Sequence, residues 1–171
     1  MAVGAGDPRG LAGVDVVSAA EVLAALNARG ETLAAAESLT GGLLSATIVD
    51  VPGASTVFRG GLIVYATDLK HTLAGVDAEL LAERGPVDPD VAAALARGAA
   101  RACNATWGVA TTGVAGPDPQ GGVPVGTVFV SIAGPVAQVR RLTLTGDRAQ
   151  IRRAAVQAAL NLLQETIRTL V

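Results

Sequence analysis

Cysteine, histidine, lysine, tyrosine and tryptophan occur once each in the 171 residues, and aromatic residues make up only 2%. The single cysteine, Cys103, excludes an internal disulfide and suits a reducing compartment. One cysteine and one histidine, His71, are too few for a usual zinc site, so no metal is expected. The shortage of aromatics means that a core must come from Ala, Val and Leu, because half the residues are hydrophobic. Net charge is only −2, which gives no long-range attraction for nucleic acid or an anionic membrane, and neither is expected as a partner. The N-terminus has no basic start and no continuous apolar segment of a signal peptide. The uncharged run 119–139 is broken by Pro119, Pro124, Pro135 and four glycines, so it reads as a loop and a buried hairpin rather than a membrane helix. A cytoplasmic location is the expectation.

What is present alternates between helix and strand signals. Residues 1–13, rich in Gly and Ala, read as a flexible tail ahead of one domain, 14–171. Ser18 and Glu21 have capping-box spacing and open a helix that should stop near Arg29-Gly30. "TLAAA" (32–36) reads as a buried strand running into Glu37 and Ser38, and Thr40 is positioned to cap a helix to Val49. "VFRGGLIVYA" predicts a strand reaching Tyr65, and Thr67 a cap for a short helix to Gly75 with Lys70 in its first turn. Asp88-Pro89 starts a helix to Ala102, and Cys103, in the same Ala-rich stretch, reads as a small core filler. "WGVATTGV", "VGTVFVSIA" and "AQVRRLTLT" read as strands, the last two joined at Gly134-Pro135. Gly146-Asp147 opens a long helix with an apolar stripe of Ile151, Ala155, Ala158 and Leu162. The pattern predicts a three-layer α/β/α sandwich around a mixed, mostly parallel sheet.

Twelve of the thirteen basic residues are arginine, and the lone lysine, Lys70, follows the lone tyrosine, Tyr65, by five positions. Lysine can lose its proton near neutral pH in suitable surroundings, whereas arginine cannot. Three strand ends lead into loops rich in glycine and hydroxyl groups: "AESLTGG" (36–42), "TTGVAGP" (111–117) and "LTGDR" (144–148). Loops at the carboxyl ends of α/β strands line the ligand crevice, and glycines let a ligand approach the backbone. There is no Walker A or GxGxxG sequence, which disfavours standard triphosphate and dinucleotide sites. Ser38 is a candidate nucleophile. Lys70 suits the role of its base better than His71, which reads as a surface or satisfied histidine. Burial and the positive end of a helix dipole would both favour neutral Lys70. Lys70 is expected to take the Ser38 proton directly or through Tyr65, whose hydroxyl can sit between the two as a proton relay.

"AESLTGG", "VYATDLK", "VAGP", "PVGTVFV" and "TGDR…R", in this order, resemble the C-terminal domain of CinA, the family of nicotinamide-nucleotide amidohydrolase. The resemblance runs from about Ser18 to Leu170. It implies deamidation of nicotinamide mononucleotide to nicotinic acid mononucleotide and ammonia, by a serine hydrolase without metal or other cofactor. The family's serine, tyrosine and lysine positions fall on Ser38, Tyr65 and Lys70. Glu37, Thr40, Gly41 and Gly42 are the implied substrate contacts in the first loop, with amides near Thr40, Gly41 and Gly42 expected to hold the oxyanion. Thr112, Gly113, Ala115 and Gly116 are expected to contact ribose and phosphate, with Arg148 as leading phosphate partner. "YATDLK" departs from the common "YSNEAK", removing a polar group at Ala66, and Thr112 stands where serine is usual. Longer members carry an additional N-terminal domain, for which this chain has no room, so that domain's activity is not expected. A non-catalytic nucleotide-binding module and a serine amidase for another amide are the alternative readings. A homo-oligomer is compatible with the sequence, which does not set the number of subunits.

Overall fold

The computed structural model describes residues 16–170. The expected tail, 1–13, lies outside them. Five strands, β1 (Leu33–Glu37), β2 (Phe58–Ile63), β3 (Trp107–Gly113), β4 (Thr127–Ala133) and β5 (Gln138–Thr143), form one sheet in the order β2-β1-β3-β4-β5. β1 is parallel to β2 and β3, whereas β4 is antiparallel to both β3 and β5. Four strands therefore point one way and β4 alone is reversed. The helices are α1 (Ala19–Ala28), α2 (Leu43–Val49), α3 (Thr67–Thr72), α4 (Ala78–Arg84), α5 (Pro89–Ala102) and α6 (Arg148–Thr169). Together they make the expected sandwich on a mixed sheet.

Strand alternation divides the core into two layers. Leu33 and Ala35 of β1 join Trp107 and Val109 of β3 in the core shared with α1, α2 and α6. Ala34, Ala36 and Ala110 face the opposite side, against Val91, Leu95, Ala96 and Ala99 of α5. Small residues allow α5 to lie close to the sheet: a Cβ at Gly108 would collide with the Ala96 carbonyl. This close approach shows how a core almost without aromatics is filled. The predicted stripe on α6 is buried at all four positions, Ile151, Ala155, Ala158 and Leu162.

Local signals placed most helix ends. The Ser18 hydroxyl accepts from the Glu21 amide at 3.2 Å, and the Glu21 carboxylate accepts from the Ser18 amide at 2.8 Å. Asp88 caps α5 ahead of Pro89, and Asp147 caps α6 through a second capping box with Gln150. Three expectations are corrected. Thr40 does not cap α2, which begins at Leu43 after Gly42 (φ 103°); the Thr40 hydroxyl instead pairs with that of Thr111 at 2.7 Å. β2 stops at Ile63, leaving Tyr65 in a loop. Thr67 is the first residue of α3 rather than its cap, so Lys70 lies in the last turn of that six-residue helix. The unexpected α4 is capped by Asp77, whose carboxylate accepts from the Glu79 and Leu80 amides. Cys103 caps the C-terminus of α5 and packs, partly buried, against the α5-side core. No helix among the described residues is long and apolar enough to cross a membrane.

Candidate active site

Because β1, β2, β3 and β5 point the same way, their carboxyl ends meet at one edge of the sheet, where α/β folds bind ligands. Ser38 follows β1, Tyr65 and Lys70 follow β2, the 112–116 segment ends β3, and Arg148 starts the helix after β5. They surround a cavity of about 170 Å³.

Ser38 and Lys70 are both buried, Lys70 with only 1% exposure. Lys70 Nζ lies 3.0 Å from Ser38 Oγ, 2.8 Å from the Val64 carbonyl and 3.4 Å from the Tyr65 carbonyl. Carbonyl oxygens only accept, and a hydroxyl can do either. The three neighbours accept the three N–H groups of the ammonium, and on deprotonation two N–H groups stay on the carbonyls while the lone pair turns to the Ser38 proton. No carboxylate within 4 Å balances Lys70 among the described residues. Burial lowers its pKa from 10.5 to about 8. Desolvation does this without the helix dipole, since Lys70 sits in the last turn of α3.

Among the described residues no hydrogen bond joins the Tyr65 hydroxyl to Ser38 or Lys70, so of the two routes the direct one has its contact in place. Lys70 reaches Ser38 directly, while the Tyr65 hydroxyl accepts from Arg148 Nη2 at 2.9 Å. The other Arg148 terminal nitrogen, Nη1, donates to the Gly116 carbonyl at 2.7 Å. His71 is exposed and its Nδ1 lies 2.7 Å from the Val76 carbonyl, the satisfied histidine that was expected.

The first loop departs most from expectation. Glu37 faces α2 rather than the cavity: its carboxylate accepts from the amides of Gly42, Leu44 and Ser45 and from the Ser45 hydroxyl, at 2.6–3.0 Å. It is the true cap of α2. The Gly41 amide donates to the Ser38 carbonyl, so neither the Gly41 nor the Gly42 amide is free for an oxyanion, and Thr40 to Gly42 do not line the cavity. Leu39, Ala115 and Gly116 do line it, and their amides have no acceptor among the described residues. Thr112 and Gly113 also line it, but the Thr112 hydroxyl already donates to the Pro86 carbonyl at 2.6 Å. Replacing Glu37 with alanine would leave three helix-end amides unpaired and is expected to lower stability by roughly 2–4 kcal/mol. Denaturant unfolding measures this, and a loss below about 1 kcal/mol would show that water replaces the carboxylate.

Sequence reasoning gave no role to Arg152. Its Nε donates to the Leu39 carbonyl and its Nη2 to the Thr40 carbonyl, both at 2.9 Å, holding the turn after the nucleophile. The signal was the second arginine of "TGDR…R", four residues and one helical turn after Arg148. Asp118 and Gln120 also line the cavity, and no sequence pattern marked them.

A buried serine–lysine contact beside a cavity, at the carboxyl edge of a mixed α/β sheet, defines the class of protein. The chain belongs to the CinA C-terminal domain family, whose model matches residues 16–167. It is 51% identical over 147 residues to a CinA-like protein of Frankia casuarinae, covering 85% of this chain and 34% of that protein. A putative competence-damage inducible protein of Moorella thermoacetica is 45% identical over 150 residues, covering 85% of this chain and 36% of its own length. The chain thus spans about a third of the length of these curated relatives. Among solved structures, a competence-damaged protein (CinA) superfamily protein from Klebsiella pneumoniae 700603 superposes with a TM-score of 0.86 at 29% identity, over 88% of this chain and 96% of that one. The competence/damage-inducible protein of Agrobacterium tumefaciens gives 0.83 at 29% identity, over 98% and 99%.

Proposed function

We propose that this protein is an amide hydrolase that deamidates nicotinamide mononucleotide, a cytoplasmic small-molecule substrate. The observation that carries the reading is the buried Lys70 amine 3.0 Å from Ser38 Oγ, with a pKa near 8. Ser38 Oγ attacks the carboxamide carbon as Lys70 takes its proton. The oxyanion is met by the Leu39 amide beside the nucleophile, unpaired among the described residues, and the unpaired Ala115 and Gly116 amides belong to the same lining. Protonated Lys70 returns the proton to the leaving nitrogen, the carbon–nitrogen bond breaks and ammonia departs. Water then adds to the ester with Lys70 again as base, releasing the acid and restoring Ser38. Arg148, whose only described partners are uncharged oxygens, supplies positive charge for the substrate phosphate.

Ammonia release by the purified protein tests this reading. Nicotinamide mononucleotide is expected to exceed its riboside in specificity constant by about 10- to 150-fold, the value of one charge-assisted phosphate contact. Equal rates on both would favour a general serine amidase. Release from neither would leave the nucleotide-binding module as the better account.

A further inference from the structure

Tyr65 carries a chemically versatile group, yet its hydroxyl takes no part in the Ser38–Lys70 contact. Its two ends serve different parts of the cavity. The backbone carbonyl accepts from Lys70 Nζ, and the hydroxyl accepts from Arg148 Nη2. The residue is 60% exposed, so burial alone does not account for its position.

Arginine on a surface samples many rotamers, and ordering it on binding lowers affinity. Arg148 is exposed but held by loops from two different strands, at Tyr65 after β2 and at Gly116 after β3. Both partners are neutral acceptors, so the guanidinium is fixed without losing its charge. Two of its five N–H donors are used, leaving three. We propose that Tyr65 is a positioning residue, holding Arg148 for a phosphate monoester. This rests on the reading of Arg148 as the phosphate contact, but not on the chemistry at Ser38.

The test is calorimetric titration with ribose 5-phosphate, which has no amide to hydrolyse, against the unmodified protein, Tyr65→Phe, Arg148→Ala and the double variant. Tyr65→Phe keeps the ring and is expected to weaken binding about 3- to 10-fold, and Arg148→Ala about 10- to 150-fold. The double variant should bind no more weakly than Arg148→Ala, because the tyrosine acts through the arginine. In turnover, Tyr65→Phe should raise KM for the mononucleotide and leave kcat within about 2-fold. Binding indifferent to Tyr65→Phe, or absent from the unmodified protein, overturns the proposal. So does a kcat loss of equal size on mononucleotide and riboside, which marks a proton relay. Tyr65-dependent binding by a protein that releases no ammonia would sustain this proposal and refute the deamidase reading.

Discussion

Lys70→Arg is expected to lower turnover by about 100-fold or more while preserving the positive charge at that position. The reason is the proton inventory around Nζ. Burial brings its pKa to about 8, and the deprotonated amine keeps two N–H groups for the carbonyls and turns its lone pair to the Ser38 hydroxyl. A guanidinium never supplies the lone pair. In the unmodified protein the neutral fraction is about one-tenth at pH 7, so the specificity constant should climb with pH and level off above about 8. The stability effect has the same sign. Between about 8 and the ordinary lysine value of 10.5 the unfolded chain binds more protons than the native one, so stability should rise with pH across that window. Rate measurements from pH 6 to 10, with thermal unfolding as the folding control, decide the matter. A folded Lys70→Arg protein of near-normal activity, or a flat profile through pH 8, would remove Lys70 from the chemistry.

Ser38→Ala is the second large effect, a loss of about 1,000-fold or more, because no other hydroxyl lies within hydrogen-bonding distance of Lys70 Nζ among the described residues. The fold should tolerate the change: the Ser38 amide still donates to the Thr111 carbonyl, and Arg152 still holds the following turn. Nζ keeps its two carbonyl partners. The same serine chemistry should survive exhaustive chelation, as the described residues contain no group of three His, Cys, Asp or Glu side chains placed for a metal. Intact-mass analysis under turnover offers a direct view of the ester on Ser38. An active Ser38→Ala enzyme, or activity lost to chelator and restored by a divalent ion, would contradict covalent serine catalysis.

The misplaced helix caps share one physical origin. Thr40 and Thr67 have good capping chemistry, but a cap also requires the right backbone conformation and an unclaimed helix end. At α2 the claim belongs to Glu37, buried at the end of β1, whose carboxylate reaches three amides that Thr40 does not. A glutamate in "AESLTGG" looks like a ligand contact because the string does not tell which way its side chain turns. Arg152 presents the converse case. One turn beyond Arg148 it resembles another exposed helix charge, and its function follows only from α6 lying beside the 39–40 turn.

By itself the sequence determined the layered α/β class, the caps of α1, α5 and α6, the buried stripe of α6 and the candidacy of Ser38 and Lys70. Each depends on local spacing, or on a residue type whose chemistry is distinctive wherever it sits. Tertiary structure alone decided which groups meet. Residues 32 positions apart form the Ser38–Lys70 contact, and 83 positions separate Tyr65 from Arg148. Those distances are set by the common direction of four strands, which brings their carboxyl ends to one edge. The lowered Lys70 pKa belongs to that assembly too, because desolvation comes from the packed neighbours and not from the helix that carries the lysine.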